Sequence, residues 1–563
     1  MMSPEIRKCN NCSQNFAIDP DDFGFYEQMH VPPPTWCPDC RMMRRMGWFG
    51  YRILHKRKCD FTGDNVITVY HPDVPNKIYR QDIWWSDKWD PKSYGRDYDF
   101  SKSFFEQFME LFKTVPLPAL HTAHSTMINS EYCNAASDLK NSYLAFKSDR
   151  SENIAYTAAT SDLKDCLDTS FTNHCELNYE VINNNKCYET FFSQDCDDCH
   201  NIWFSQDLVG CSDCMGCINL RSKKYHILNQ SYTKEEYLKE VEKLNLGSSQ
   251  GIADFQKKAN EFFLTQPRKN FHGQKAYGSS GDYLYNAKNS KNCYWVAETE
   301  DLRYCQLLQA INAAKSYDYT AFAYNAEWIY ESCWVGINTQ QVKFSFWNYS
   351  AHDIEYSFGC HGGGNLFGCV GLRKGEYCIL NKQYAKEEYL ELVEKIKKQM
   401  MDMPYIDKLG REYRYGEFWP MEFCPWAYNE TTAFEFLALT KEQALAVGFN
   451  WRDEDKREYR SATMVVPDHI KDVPEDILKA ILQCDCGKNY QIIPMELQFL
   501  RRFKIPVPRH CPLCRHYGRL KLLNPIKVFD HTCAKCQKAI QTSYAPDRPE
   551  IVYCEACYQA EVV

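Results

Sequence analysis

Cys9-Asn10-Asn11-Cys12 and, after 24 further residues, Cys37-Pro38-Asp39-Cys40-Arg41 form a cysteine module near the N-terminus. A matching module near the C-terminus reads Cys484-Asp485-Cys486, then 24 residues, then Cys511-Pro512-Leu513-Cys514-Arg515. Two pairs of thiols on two turns suit tetrahedral zinc, and four thiolates leave no open position for chemistry. The sequence therefore predicts a structural zinc ribbon near each end. Iron would fit the same ligands, but a redox-inert role favours zinc.

A third four-cysteine module follows the second, with 17 residues between its two pairs. This spacing also predicts a zinc ribbon. The pair Cys484-x-Cys486 is one residue tighter than the usual Cys-x-x-Cys turn. The predicted zinc ligands are Cys9, Cys12, Cys37, Cys40, Cys484, Cys486, Cys511, Cys514, Cys533, Cys536, Cys554 and Cys557.

The middle of the chain is duplicated. The stretch from Cys217 to Leu238 recurs 152 residues later, from Cys369 to Leu390. Each copy ends in a predicted helix, over roughly 233–244 and 385–400, and the first helix has the capping box Thr233-x-x-Glu236.

About a hundred residues of short strand-like pieces precede each helix. Alternate pieces are mostly 21 to 24 residues apart, with Asn, Asp or Ser at their corners. This pattern predicts a parallel β-solenoid with two strands in each coil of about 22–24 residues. A β-sandwich is the competing interpretation, but the pieces lack Asn-Gly hairpin turns.

The predicted fold is mainly β and multi-domain, with zinc ribbons at both ends flanking two tandem parallel β-solenoid-like lobes, each closed by an α-helix. The predicted segments are 1–60, the N-terminal ribbon with a basic flank; 61–120, an aromatic and acidic linker; 121–245, the first lobe; 246–275, a connector; 276–400, the second lobe; 401–475, an aromatic acidic region; 476–525, the second ribbon; and 526–563, the third ribbon.

Seventeen of the 29 cysteines lie outside the three modules. Most are expected to be small buried thiols stacked from coil to coil. A fourth metal site formed by Cys196, Cys199, Cys211 and Cys214 is the alternative.

Basic residues cluster on the first two ribbons, although the net charge of the chain is −8. They predict contacts with RNA phosphates or with a protein partner. Alternatively, they pair with acidic segments such as Asp82–Asp90. The candidate partner-binding residues are Arg41, Arg44, Arg45, Trp48, Arg52, Lys56, Arg57, Lys58, Arg501, Arg502, Arg515 and Arg519.

The first residues contain no apolar signal segment, and no run approaches the ~18 apolar residues that a membrane-spanning helix requires. Paired thiols in a chain of this kind indicate metal ligands in a reducing cytoplasm, with no membrane association. Motifs of hydrolases, phosphate loops and dinucleotide sites are missing from the sequence, which argues against an enzyme.

The flank of the first ribbon, from Phe25-Tyr26-Glu27 through Cys37-Pro38-Asp39-Cys40-Arg41, resembles the "probable zinc-ribbon" modules of uncharacterised bacterial proteins. The continuation Lys58-Cys59-Asp60 and the stretch Trp85–Gly95 are similar to larger zinc-ribbon proteins of small-genome candidate-phylum bacteria. The resemblance implies metal-binding ribbons and brings no activity. The tighter Cys484-x-Cys486 turn departs from it.

Together these features favour a non-enzymatic zinc-binding scaffold or adaptor. It would dock on a large cytoplasmic protein or ribonucleoprotein assembly such as a ribosome, with RNA as a candidate contact. A structural protein that assembles with itself is the alternative, and an enzyme acting in a solenoid groove is a third hypothesis.

Overall fold

The structure is a computed structural model that describes residues 3–308, 310–454 and 459–562. The chain divides into two compact units. Unit 1 contains Met1–Leu120 and Phe271–Asp453, and unit 2 contains His121–Asn270 and Glu454–Val563. Each unit combines one solenoid lobe with ribbons from the far end of the chain. The N-terminal ribbon is therefore in the same unit as the second lobe, and the C-terminal ribbons are in the same unit as the first.

In unit 1, the regular elements fall into an N-terminal ribbon region, the second lobe with its helix, and a mostly irregular region after it. The N-terminal strands are Glu5–Lys8, Asn15–Ile18, His55–Lys58, Asn65–Thr68, Ile78–Tyr79 and Leu117–Pro118, and the helices are Pro20–Gln28, Pro38–Gly47, Gln81–Trp84 and Phe104–Thr114. The lobe has strands Gly273–Tyr277, Gly281–Lys288, Cys293–Arg303, Gln306–Leu308, Ala310–Thr320, Ala323–Cys333, Thr339–Lys343, His352–Glu355, Gly364–Phe367, Glu376–Ile379 and Lys382–Gln383, followed by helix Lys386–Asp402. Strands Tyr405–Ile406 and Glu412–Tyr413 and helices Thr432–Phe436 and Lys441–Ala446 follow.

In unit 2, the first lobe and its helix precede a connector and two ribbons. The lobe has strands Met127–Ile128, Ser137–Lys140, Phe146–Glu152, Ala158–Ser161, Leu167–Ser170, Tyr179–Ile182, Tyr188–Phe191, His200–Trp203, Ser212–Met215, Lys224–Ile227 and Gln230–Ser231, followed by helix Lys234–Glu242. The connector has helix Ser249–Phe263 and strand Pro267–Lys269, and the ribbons have strands Leu482–Gln483, Asn489–Tyr490, Phe529–Thr532, Ala539–Thr542 and Ile551–Tyr553 with helices Pro494–Phe503, Pro512–Leu520 and Glu555–Val562.

The β-solenoid prediction is confirmed, but its predicted period is wrong. In the first lobe Phe146 pairs in parallel with Ala158, and Leu167 with Tyr179, so one coil contains 12 residues. In the second lobe some coils contain 13, as in the pairing of Tyr317 with Tyr330. Each strand-like piece of the sequence therefore lies in a coil of its own, and the 22–24 residue spacing spans two coils. The parallel pairing excludes the β-sandwich.

The coils turn through left-handed backbone at almost every third residue. Asn141, Leu144 and Lys147 have φ of 51°, 49° and 51°. This conformation costs roughly 1–2 kcal/mol for each residue other than glycine, and Asn and Asp tolerate it best. Hydrogen bonds between coils offset the cost, and side-chain amides extend the pairing in a ladder from Asn129 through Asn141 and Asn153 to Asp165.

Both lobes end as the sequence predicts. The strand Lys224–Ile227 turns back in an antiparallel pair with Gln230–Ser231, which ends the parallel sheet. The following helix has the predicted capping box, in which the Thr233 hydroxyl accepts from the backbone N–H of Glu236. Its Tyr237 ring lies 5.7 Å from Tyr225, and the second lobe repeats the contact between Tyr389 and Tyr377 at the same distance.

In the part of the chain that the structure describes, no helix has the length and apolar character needed to cross a membrane.

Candidate metal centres and their contacts with the solenoids

The predicted zinc ligands come together in three clusters of four thiols. In each cluster all sulfur atoms lie within 4.8 Å of one another. The Cys12–Cys37, Cys486–Cys511 and Cys536–Cys554 sulfur pairs are 3.7, 3.9 and 3.8 Å apart. A zinc–sulfur bond of about 2.3 Å places two tetrahedral ligands about 3.8 Å apart, so the thiols are spaced as a metal requires. Zinc bound here would cross-link two turns, and its filled shell would leave no position for a substrate.

The local backbone explains the spacing of the ligands. In the first cluster, Cys9 follows strand Glu5–Lys8, and Ser13 closes the turn with a φ of 60°. The second pair sits on a helix start: Cys37 is the residue before helix Pro38–Gly47, and Cys40 is its third residue. The backbone N–H of Cys37 donates to the Cys9 sulfur over 3.2 Å, and this hydrogen bond favours the thiolate form of Cys9. Proline after Cys37 suits this position because the first helical N–H has no partner to lose.

The shorter Cys484-x-Cys486 turn still brings the four sulfur atoms of the second cluster together. Gly487, with a φ of 84°, makes the turn one residue shorter, and the backbone N–H of Cys484 donates to Lys488 across it. Burial opposes ionisation of Cys484, but backbone N–H groups of Cys486 and Cys511 outweigh it and lower its pKa to about 6. The departure from Cys-x-x-Cys is therefore a shorter loop and not a lost site.

The alternative fourth metal site does not form. Within the described residues, Cys196, Cys199, Cys211 and Cys214 are not among the groups whose ligand atoms converge. Their thiols are buried in the first lobe and donate to backbone carbonyls, as Cys199 does to Asp197 over 3.3 Å. Cys187, Cys199 and Cys211 repeat at the coil period of 12 residues, so they stack along the core as the sequence analysis expected of most cysteines.

The arginines of the first ribbon point into unit 1. Arg45 Nη1 lies 3.0 Å from Asp318 Oδ1, and Arg41 Nη2 lies 2.9 Å from the other oxygen of the same carboxylate. Arg44 Nη1 lies 2.9 Å from Glu417 Oε2 and its Nη2 lies 3.4 Å from Glu331. At most 2% of each of these guanidinium side chains is exposed. Burial raises the pKa of Glu331 despite the arginines beside it.

Unit 2 repeats this arrangement with the second ribbon. Arg519 Nη1 and Arg515 Nη1 each lie 2.9 Å from one oxygen of Asp168, and Arg515 also lies 2.7 Å from Glu496. Arg519 also lies 3.1 Å from Glu180, one coil beyond Asp168. Glu331 lies one coil beyond Asp318 in the same way.

The remaining donors of the two matched arginines agree as well. Arg519 donates to the Tyr156 carbonyl over 3.3 Å and Arg45 to the Tyr304 carbonyl over 3.3 Å. Arg45 Nε reaches the Thr320 hydroxyl at 3.1 Å, and Arg519 Nε reaches the equivalent Ser170 at 3.3 Å. The two ribbons are therefore docked on their lobes in one common geometry. We call each set of buried arginines and carboxylates a clamp.

The clamps contain five of the candidate partner-binding arginines. Arg41, Arg44, Arg45, Arg515 and Arg519 are buried and ion-paired within their own units. Pairing with acidic residues of the chain was the alternative interpretation, and the ion pairs agree with it, although the carboxylates come from the solenoid coils and from Glu417 and Glu496 and not from Asp82–Asp90. Sequence reasoning missed these acids, although Asp168 and Asp318 lie 150 residues apart and so nearly follow the duplication.

The other candidate residues differ in exposure. Trp48 and Arg52 are buried, and the Trp48 ring lies 4.8 Å from Trp419. Arg57 is half-buried and donates to the Asn76 carbonyl over 3.2 Å, and Arg501 is paired with Glu475. The exposed candidates are Lys56, Lys58 and Arg502.

Comparisons with known proteins add little. No family model matches the chain, and no curated protein gives a significant match. One solved structure, described as a "putative acetyltransferase" from Desulfovibrio desulfuricans G20, is similar over 52% of this chain and 85% of its own length, at 10% identity and a TM-score of 0.10. A likeness this weak carries no argument about fold or activity.

Proposed function

We propose that the protein is a non-enzymatic, zinc-binding scaffold of the cytoplasm. Each solenoid lobe and its ribbons would form one rigid part that a large protein or ribonucleoprotein assembly binds. Three four-thiol clusters without an open ligand position support a structural role for the metal. The unpaired state of the thiols suits a reducing compartment.

The clamp around Asp318 and Asp168 carries this proposal. Pulling a ribbon away from its lobe would leave arginines and carboxylates without partners, and breaking a buried ion pair costs about 3–5 kcal/mol. The first two ribbons would therefore not act as mobile heads on tethers. A partner would meet the outer surfaces of a preassembled unit.

Contacts between the ribbons and RNA would depend on the exposed basic residues. Lys56 and Lys58 lie on the first strand of the second hairpin of unit 1, and Arg502 lies on a helix of unit 2. These three side chains are exposed and could each meet one phosphate, whereas the clamp arginines are already paired.

Titration of single-stranded RNA at several salt concentrations tests this contact. Lys56→Gln, Lys58→Gln and Arg502→Gln together should weaken binding and reduce the salt slope by about 2, because each lost phosphate contact removes about 0.7. The matched control replaces three exposed lysines of the capping helices, Lys239, Lys395 and Lys398, and should leave the slope unchanged. RNA binding that survives the first set would contradict the proposed contact. Copurification of a partner that resists nuclease would identify a protein partner instead.

Self-assembly is a second candidate, favoured by one observation. The strand Met127–Ile128 is the outermost strand of its sheet, and Ile128 is 55% exposed. An outermost strand with an exposed apolar side chain can pair with another chain. Light scattering over a range of concentrations tests this candidate, because Ile128→Lys should abolish any oligomer that forms through this edge.

A further inference from the structure

The segment 55–84 has the backbone of a zinc ribbon but not its ligands. Its hairpin pairs Lys58 with Asn65, as the first ribbon pairs Lys8 with Asn15. Cys59 follows the first strand in the position of Cys9, and its backbone N–H donates across the turn to Asp64 over 2.8 Å. The corresponding distance from Cys9 to Gln14 is 2.9 Å.

The second half of the ribbon is also present. The backbone N–H of Arg80 donates to the Cys59 sulfur over 3.2 Å, as Cys37 donates to Cys9 and Cys554 to Cys533 at the same distance. Arg80 precedes helix Gln81–Trp84, and Ile83 is the third residue of that helix. The four ligand positions are therefore occupied by Cys59, Thr62, Arg80 and Ile83.

An ion pair and apolar packing occupy the place of the metal. Arg80 Nη1 lies 2.6 Å from Asp64 on the hairpin, and its Nε lies 2.6 Å from Asp82 on the helix. This bridge joins the two halves that zinc would join, but exposed pairs contribute only about 0–1 kcal/mol. Ile83 and Trp84 are at most 2% exposed and provide apolar contacts that a ligand set would not.

The segment also occupies the place of a ribbon on its lobe. Trp84 follows Ile83 as Tyr558 follows Cys557. Tyr558 hydrogen-bonds Asp207 and Asn219 of the first lobe, and Arg221 lies 3.5 Å from its hydroxyl.

In the second lobe, the positions that match Asn219 and Arg221 contact Trp84 and the residues after it. Gly371 corresponds to Asn219 at the duplication spacing, and a Cβ there would lie 3.6 Å from the Trp84 ring. Arg373, which corresponds to Arg221, donates to the Ser86 carbonyl over 2.8 Å. Residues 55–84 and residues 529–558 are thus equivalent in backbone, in sequence position and in docking site.

We infer that residues 55–84 are a zinc ribbon that holds its fold and its place on the second lobe without metal, whereas its counterpart, residues 529–558, is attached to the first lobe only with metal bound. This inference rests on the proposed role of the cysteine clusters as zinc sites. Its consequence is a metal-dependent surface in unit 2: loss of the third zinc uncovers Asp207, Asn219 and Arg221, and nothing comparable happens in unit 1.

Restoring the missing ligands tests whether residues 55–84 have the backbone geometry of a zinc ribbon. The full chain should bind three zinc ions, one for each cluster. The variant Thr62→Cys/Arg80→Cys/Ile83→Cys should bind four, since Cys59 supplies the remaining thiolate. A wild-type chain without zinc would overturn the proposed metal role, whereas three ions in both proteins would overturn this inference alone.

Hydrogen exchange of the full chain tests the difference in metal dependence and does not require the restored variant to fold. In Cys554→Ala/Cys557→Ala, amides of 529–558 should lose protection by at least tenfold, while those of 55–84 keep theirs. The matched change in unit 1, Cys59→Ala, removes a buried sulfur and the hydrogen bonds that it accepts but no metal, so the protection of 55–84 should fall by much less than tenfold. Strong loss in Cys59→Ala, or none in the double variant, would overturn the inference.

Discussion

Arg519 Nη1 lies 2.9 Å from Asp168 Oδ1, with 2% of the arginine side chain and none of the aspartate side chain exposed. The arginine comes from helix Pro512–Leu520 of the second four-cysteine ribbon, and the aspartate from a coil of the first lobe. Arg45 and Asp318 repeat the contact in unit 1 at 3.0 Å. A motif that looks like a basic patch in the sequence is thus an internal clamp.

Removing the aspartate charge should destabilise the contact between ribbon and lobe. In Asp168→Asn, Arg515 and Arg519 lose their shared carboxylate in a buried site, at a cost of about 3–5 kcal/mol. Native-state hydrogen exchange should show this loss in peptides of 494–520 and 167–182. The matched control is Asp162→Asn, which removes an exposed pair with Arg150 on the same lobe and should cost at most about 1 kcal/mol. Equal effects of the two changes would contradict a buried clamp.

Metal content should separate ligand cysteines from core cysteines. Cys40→Ala should reduce the zinc content from three ions per chain to two, because one cluster loses a ligand. Cys199→Ala removes an equally buried thiol that donates to a backbone carbonyl, and zinc should stay at three. Loss of zinc in Cys199→Ala would revive the fourth site.

Glu355 should make unit 1 sensitive to acid. Burial alone would raise its pKa, but Lys343 at 3.2 Å and Lys397 at 2.9 Å outweigh it and lower the pKa from 4.5 to about 2. Because the pKa of the Glu355 carboxyl is lower in the folded state than in the unfolded state, this stabilisation is present above pH 4.5 and is lost as the pH falls towards 2. The full effect is about 3 kcal/mol.

The measurement compares wild type with Glu355→Gln by hydrogen exchange in 339–402 at several pH values. Metal loss in acid affects both proteins and cancels in the difference. The stability advantage of wild type should shrink between pH 4.5 and the lowest accessible pH. A constant advantage would contradict the assigned ion pairs.

Left-handed corners should tolerate glycine better than valine. Asn153 has a φ of 54° and lies in the amide ladder. Asn153→Val should destabilise the first lobe by about 2 kcal/mol, since a β-branched residue is strained there and the ladder is cut. Asn153→Gly also cuts the ladder but removes the strain, so its cost should stay below about 1 kcal/mol. Similar costs for both would indicate that the ladder, and not the backbone, dominates.

The spacing of residues predicted local features better than their partners. Paired cysteines predicted all three clusters, because metal ligands on a turn are close in sequence. The capping box at Thr233 predicted a helix for the same reason. The predicted coil period was twice the observed one. The aromatic positions do not show the three-residue repeat within each coil, because that repeat is set by left-handed backbone, which Leu144 and Lys147 adopt without any sequence signature.

The partners of the arginines could not be predicted from local spacing. Arg45 and Asp318 are 273 residues apart, and nothing between them shows that the N-terminal ribbon packs on the second lobe. The metal-free ribbon was missed because Cys59 lacks the other three ligands. Its backbone hydrogen bonds, together with the position of Cys59, reveal the relation.

A double-mutant cycle between Arg519 and Asp168 tests the clamp most directly. Arg519→Gln, Asp168→Asn and the double variant should give a coupling energy of roughly 2–3 kcal/mol in unit 2, because either single change removes one charge from a buried cluster and leaves the opposite charges there out of balance. Single effects that add within about 0.5 kcal/mol would show that the two side chains do not interact and would contradict the clamp.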